Sequence, residues 1–241
     1  VGNVIKQKSE FILLDEQLVV YDKVFAYAKE GFHDRNKTAL IVKGGPGTGK
    51  TTLVRAILTV FHEAGKRVLL CAPTGRAAKR LSEVTGHEAK TIHRMLSYDF
   101  KSGGFKKNEN NPLDTDVIIV DETSMVDTFL MYHLLKAVPM TAVLVMVGDV
   151  NQLPSVGAGN VLRDMIDSQQ IPVVFLEEIF RQAQESLIIT NAHRINQGLS
   201  PAIPDTDRDT VQDFYFIHQE DPEKVLSTII ELCCDRIPNR F

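Results

Sequence analysis

Residues 39–52 read ALIVKGGPGTGKTT, and this stretch decides the fold. Its first four residues are a short apolar run. Gly44-Gly45-Pro46-Gly47-Thr48-Gly49-Lys50-Thr51 then matches G-x-x-x-x-G-K-[ST] in full. The glycines let consecutive backbone N–H groups turn toward an anion, and a helix starting at Lys50 points its positive end at the same place. Gly45, Pro46, Gly47, Thr48, Gly49, Lys50, Thr51 and Thr52 are therefore the candidate cradle for the phosphates of ATP. Lys50 is placed to reach the β- and γ-phosphates and Thr51 to hold Mg²⁺ through its hydroxyl. The helix is expected from Lys50 to about Ala64, with Leu53, Ile57, Val60 and Phe61 on one face and Gly65 as the stop.

Four more apolar runs follow at Val68–Ala72, Val117–Val120, Ala142–Val147 and Val173–Leu176. They are continuous rather than alternating, the pattern of strands buried on both faces of a parallel sheet, and each interval has room for a crossover helix. The expected class is α/β, a P-loop fold with a mostly parallel sheet, helices on both faces and ligands beyond the carboxyl ends of the strands.

The remaining composition sets bounds. The chain has 241 residues, 44% hydrophobic and 24% charged, as in an ordinary globular protein. The run Ala142–Val147 is the longest apolar one and far too short for a membrane span, and no targeting pattern opens the chain, so a cytoplasmic location is expected. The start at Val1 rather than Met reads as a piece of a longer protein. Cys71, Cys233 and Cys234 fit neither a disulfide framework nor a metal site and read as reduced, buried thiols. The net charge of −4 excludes a uniformly basic coat protein, yet residues 71–110 carry eight Lys or Arg against four Asp or Glu. That local +4 leaves −8 for the rest, the imbalance expected of a one-sided nucleic-acid track.

Two further blocks carry chemistry. Val117-Ile118-Ile119-Val120-Asp121-Glu122 delivers an acidic pair to the end of a strand, the Walker B pattern. Asp121 would hold Mg²⁺ and Glu122 would orient or deprotonate an attacking water. After the fourth run comes GDVNQLPSVGAG, 148–159, whose Gln152 can accept from water and donate to a γ-phosphate oxygen. Beyond the fifth run, Arg181 is a candidate to neutralise charge on the transferring phosphoryl group; a surface salt bridge is the alternative. Lys101–Pro112 reads as a loop or a short exposed hairpin. Past Pro201–Pro204, Asp213–Ile217 reads as a possible strand. Asp221-Pro222-Glu223 reads as the start of a helix burying Val225, Leu226, Ile229 and Ile230.

Taken together, GGPGTGKTT, CAPTGRAAKRLSEVTGHEAKTIHRML, VIIVDETSMVD, VGDVNQLPSVGAGNVL, LEEIFRQ and ITNAHRINQG resemble the RecD-like branch of superfamily 1 DNA helicases. The resemblance implies that Gln17 reads adenine through its side-chain amide, although by itself Gln17 is an ordinary helix-start residue. It implies that Arg181 contacts the γ-phosphate. It also implies that Thr74, Gly75 and Arg76, then Thr91 and His93, and Ser155, Val156 and Gly157 face single-stranded DNA. His93 could equally be a structural histidine. The hairpin region, 98–113, would be the pin at a duplex junction, with Phe105 stacking on a base and Lys106 and Lys107 near phosphates; a solvated loop is the alternative.

The implied organisation is an N-terminal helical segment, 1–37, a RecA-like core, 38–200, and a strand-helix segment, 201–241, leading to a second RecA-like domain. Neither of the later helicase motifs of that second domain is found in the chain. The expected function is the ATP-binding motor of a 5′–3′ helicase acting in repair or recombination, poor at hydrolysis on its own. A nucleotide-gated single-strand-binding module is the alternative. A small-molecule kinase would share the P-loop but needs an acceptor pocket and a basic lid that the sequence does not display.

Overall fold

A computed structural model describes residues 14–30, 39–101, 103–203 and 213–240; for Phe25, 27–30, Arg181, Gln182, Asn239 and Arg240 only the backbone is described. Most of the expected 1–37 segment, Ser102 of the hairpin region and Pro204 lie outside these residues.

Eight strands are present among the described residues: β1 (Ala39–Gly44), β2 (Val68–Ala72), β3 (Ala89–Thr91), β4 (Tyr98–Asp99), β5 (Gly104–Phe105), β6 (Val117–Val120), β7 (Val143–Gly148) and β8 (Val173–Leu176). Helices are α1 (Asp15–Glu30), α2 (Lys50–Glu63), α3 (Gly75–Thr85), α4 (Ile92–Met95), α5 (Thr128–Ala137), α6 (Val161–Asp167), α7 (Arg181–Gln184), α8 (Leu187–Asn196), α9 (Pro222–Glu231) and α10 (Ile237–Arg240). The chain divides into two compact units, 1–184 and 185–241.

In the first unit, six parallel strands form one sheet in the order β3-β2-β6-β7-β1-β8. The five apolar runs are all strands of it. The pleat sorts their side chains by parity: Leu40, Val42, Val117, Ile119, Val143, Val145 and Val147 pack with Leu53, Ile57 and Phe61 of α2 on one face. Ile41, Ile118, Val120, Leu144 and Met146 pack with Leu130, Met131 and Leu134 of α5 on the other. Burial on both faces is why the runs contain no polar alternation.

The register sets the functional edge. Lys43 pairs with Gly148, Val120 with Met146 and with Cys71, and Ala72 with Thr91. The carboxyl ends of β1, β2, β3, β6 and β7 therefore emerge along one edge of the sheet. Because the chain leaves β1 for β2, three places away, while β8 closes the opposite side of β1, the P-loop lies at a topological switch point.

The structure corrects several expectations. β3 joins the edge of the sheet, although AKT carries no apolar run. In the second unit Asp213–Ile217 is not a strand: among the described residues no partner strand pairs with it, and the Asp213 carboxylate instead accepts from Leu187 N at 2.9 Å, holding the start of α8. Helix α9 forms as expected, with Asp221 capping Glu223 N at 3.0 Å, but Val225, Leu226, Ile229 and Ile230 are exposed rather than buried. Of the three thiols only Cys71 is buried, while Cys233 and Cys234 lie on the surface. Among the described residues no helix is long and apolar enough to cross a membrane.

Candidate nucleotide site and nucleic-acid face

Strand β1 ends at Gly44, and the loop that follows is fixed through its carbonyl oxygens. Lys50 Nζ donates to Gly44 O at 2.7 Å and Gly45 O at 3.0 Å, and Thr48 Oγ1 donates to Gly45 O at 2.9 Å. Phe180 N donates to Gly47 O at 3.1 Å and Gln17 Nε2 to Thr48 O at 3.0 Å. An anion would be recognised by the opposite set of groups, the backbone donors of a loop that leads into an α-helix. Gly47 and Gly49 have φ of 76° and 75°, the left-handed conformation that such a turn needs.

Gln17 sits fully buried beside this loop, its Oε1 accepting from Leu14 N and its amide nitrogen tied to the P-loop. The start of α1 that carries it is stapled to the chain after β8, where Glu16 Oε2 accepts from Glu177 N at 2.6 Å and Glu178 N at 3.1 Å. The Phe180 ring and Gln17 Nε2 cover Gly49 closely: a Cβ there would come within 2.2 Å and 2.6 Å of them. Thr51 and Thr52, half-buried, occupy the first turn of α2 with Lys50. Arg181 begins α7 directly after Phe180, with its side chain outside the described ones.

The acidic pair is where its motif places it. Asp121 and Glu122 follow β6 directly, and burial is the main cause pushing both carboxyls above their usual range. Asp121 Oδ1 accepts from Glu122 N at 2.9 Å. Glu122 adopts φ 52°, ψ 42°, a left-handed conformation uncommon outside glycine and met where surrounding structure over-determines it.

Asp149 is the residue that motif reading passed over. It follows the last residue of β7, is 2% exposed, and its Oδ2 has no hydrogen-bond partner among the described residues, as is also true of Ser124 Oγ. Burial lowers the Lys50 pKa, and the opposing carboxylates are, in order of effect, Asp149, Glu122 and Asp121. Three carboxylates, the buried Asp149 and the half-buried Asp121 and Glu122, therefore act on one ammonium. An acidic residue at the tip of the strand beside the Walker B strand was the available signal. The place of the Phe180 ring had none.

This donor set suits a hard cation. Mg²⁺ commonly takes one or two protein oxygens and completes its shell with phosphate oxygens and water, and the Asp121 and Glu122 carboxylates after β6, with the unpartnered Asp149 Oδ2 after β7, offer oxygens of that kind. Thr51 and Asp121 are the residues that would hold it.

Gln152 is half-buried on the turn after β7, its backbone N donating to Asp149 O at 3.1 Å. The same loop continues to Ser155, Val156 and Gly157, where Ser155 Oγ donates to Gly157 O at 2.9 Å and Gly159 O at 3.0 Å, leaving the Val156 side chain fully in solvent. Thr74 caps α3 by accepting from Ala77 N, and Thr91 caps α4 by accepting from Arg94 N. Each cap uses an oxygen lone pair and leaves the hydroxyl proton to donate. Gly75 and Arg76 are exposed on the first turn of α3.

The hairpin is formed by β4 and β5, Tyr98 opposite Phe105 and Asp99 opposite Gly104, so it begins earlier than Lys101 and is mostly over by Lys106. Phe105 is not at its tip. The ring is half-buried against Tyr98, His93 and His133, with centroids at 5.0, 5.7 and 4.8 Å. The tip ring is Phe100, 91% exposed. Lys106 is exposed, whereas Lys107 Nζ is tied to Asn111 Oδ1 and Pro112 O. His93 is exposed on α4 and edge-on to Tyr98.

A switch-point P-loop with a Walker B pair and a polar loop on neighbouring strand ends defines a P-loop NTPase of RecA-like type. The family match, described as an AAA domain, covers residues 29–158. The chain belongs to that AAA domain family. It is 45% identical over 163 residues to the ATP-dependent RecD2 DNA helicase of Deinococcus radiodurans, covering 68% of this chain and 22% of that protein. It is 37% identical over 216 residues to the RecBCD enzyme subunit RecD of Mycobacterium tuberculosis, covering 79% of this chain and 37% of that protein. Among solved structures it is similar to the Pif1 helicase from Candida albicans, with TM-score 0.55 and 25% identity over 79% of this chain and 45% of the other. The chain spans less than half the length of each of these relatives.

Proposed function

We propose that this chain is the first motor domain of a cytoplasmic 5′–3′ DNA helicase that couples ATP hydrolysis to movement along single-stranded DNA and to unwinding, in repair or recombination. The observation that carries the reading is the loop after β7. Within nine residues it runs from Asp149, facing Lys50, through Gln152 to the Ser155–Gly157 turn, so a change at the γ-phosphate has a short covalent path to a DNA-facing surface.

Each residue then has a task. Lys50 and the P-loop donors bind the β- and γ-phosphates, Thr51 and Asp121 hold Mg²⁺, and Glu122 takes the proton of the attacking water. Gln152 senses the γ-phosphate, and Arg181 neutralises the charge that develops on it. The Gln17 amide reads adenine from the edge of the P-loop, exchanging its bond to Thr48 O for the base. Thr74, Gly75, Arg76, Thr91, His93, Ser155, Val156 and Gly157 hold the single strand, and the hairpin meets the duplex junction with Phe100 leading and Phe105 anchoring it. The core 38–200 grips nucleotide from one side, and a second RecA-like domain, reached through 201–241, completes the site.

The test is a comparison of this chain with the full-length protein. The chain alone is expected to bind Mg·ATP, to hydrolyse it slowly with little response to oligothymidylate, and not to unwind a tailed duplex; the full-length protein is expected to bind it, to hydrolyse it with strong DNA stimulation and to unwind the duplex. Strong DNA-stimulated turnover by the chain alone would overturn the half-site reading. Absence of nucleotide binding would overturn the motor reading altogether.

A further inference from the structure

Helix α5 connects two parts of the molecule that the motifs treat separately. Its N-cap, Asp127, accepts from Leu130 N at 2.7 Å and packs against Gly157 so closely that a Cβ on Gly157 would fall 2.0 Å from Asp127 Oδ2. Thr128 N donates to Ala158 O at 3.0 Å. The Ser155–Gly157 turn therefore stands directly on the first turn of α5.

The next residue, Phe129, is 57% exposed and starts a row of rings. It lies edge-on to His133 at 4.5 Å and tilted to Phe105 at 6.2 Å. From Phe105 the row passes to Tyr98 at 5.0 Å and on to Phe100 at 5.1 Å, at the hairpin tip. Exposed cations, Arg94, Lys101 and Lys106, accompany the row, and the one carboxylate inside the hairpin, Asp99, accepts from Lys101 N at 2.9 Å. Rings exposed at both ends of the row, Phe129 and Phe100, with positive charge beside them complement a polyanion whose bases offer π-faces, which is the composition of sequence-tolerant single-strand binders.

We propose that Phe129 is a base-stacking residue of the single-strand track, and that through it the track runs unbroken from the Ser155–Gly157 turn to the hairpin. The proposal rests on the helicase reading above and adds a contact outside its motifs. It also gives the hairpin a mechanical connection to the loop that carries Gln152: a shift of that loop moves the first turn of α5, and with it the ring against which Phe105 leans.

Binding of fluorescein-labelled oligothymidylate to this chain, followed by anisotropy, tests it with Phe129→Ala and Phe129→Trp. Loss of one stacked ring is expected to weaken binding roughly tenfold, and the tryptophan variant to restore it. Oligonucleotides with a single abasic site walked along the strand supply the specific readout. One abasic position should weaken wild-type and Phe129→Trp binding yet cost Phe129→Ala nothing further, because ring and base act as a pair. Thermal melting is the folding control, and if Phe129→Ala melts early the abasic comparison between wild type and Phe129→Trp decides alone, both being expected to lose affinity at that same position. Equal binding by wild type and Phe129→Ala, or no position at which the effects merge, would overturn the role of Phe129 while leaving the helicase reading in place. Failure of the wild-type chain to bind any oligonucleotide would instead remove the DNA reading itself. Self-association that Phe129→Ala abolishes, without change in DNA affinity, would assign the rings to a second copy and overturn the proposal.

Discussion

Lys50→Ala is expected to abolish binding of a fluorescent ATP analogue, a loss of roughly a hundredfold or more in affinity, while the protein keeps its fold. Two effects add. The ammonium that would meet the β- and γ-phosphates is removed, and a charge-assisted hydrogen bond of that kind contributes about 1.5–3 kcal/mol. In addition Asp149, Glu122 and Asp121 lose the cation that faces all three, so an anionic ligand would enter a pocket with uncompensated negative charge. Stability should change much less, because the buried ammonium carries a desolvation cost that disappears with it, against the loss of its bonds to Gly44 O and Gly45 O. Isothermal titration with Mg·ATP and a melting curve on the same samples separate the two quantities. Unchanged nucleotide affinity would refute the P-loop assignment. A collapsed melting transition would show instead that Lys50 is a structural residue.

The parts of this architecture that were legible before the structure share a physical property: their identity is set locally. The five apolar runs are strands because a strand covered on both faces has no polar positions to show, and the P-loop and acidic pair are legible because their spacing is the chemistry. What escaped depends on partners. Ala89-Lys90-Thr91 is a strand only because β2 offers it an edge, and being last in the sheet it keeps Lys90 half-exposed. Asp213–Ile217 has strand-like composition but pairs with no strand among the described residues. The apolar face of α9 has helical spacing, but burial is a property of what covers a face, and among the described residues this face is exposed. Phe100 and Phe105 are chemically identical and five residues apart; only the packing of His133 and Tyr98 decides that Phe105 is the anchor and Phe100 the tip. Asp149 lay within reach of the same reasoning that found Asp121, since both are acidic residues at the tips of adjacent strands.

Gly49→Ala should cost far more than its conformation alone explains, and Gly65→Ala is the control that shows it. Both glycines are left-handed, with φ of 75° and 67°, so an alanine at either pays the same backbone strain, about 1–2 kcal/mol. Gly65, just past the end of α2, has open space where the methyl would go. Its substitution should therefore lower the melting temperature by only a few degrees, at about 2–4 °C per kcal/mol for a chain of this size, and leave nucleotide binding alone. At Gly49 the methyl would lie 2.2 Å from Phe180 Cε2 and 2.6 Å from Gln17 Nε2. Neither neighbour can yield cheaply: the Phe180 backbone is held by its bond to Gly47 O, and Gln17 is fully buried with its amide satisfied by Thr48 O. The P-loop itself must shift, and the cradle for the phosphates shifts with it. The expected result is a larger fall in melting temperature than for Gly65→Ala together with loss of ATP-analogue binding. If instead the two variants melt alike and Gly49→Ala binds nucleotide normally, Phe180 and Gln17 do not form a rigid seat for the loop, and the assignment of Gln17 to the adenine end of the site loses its structural support.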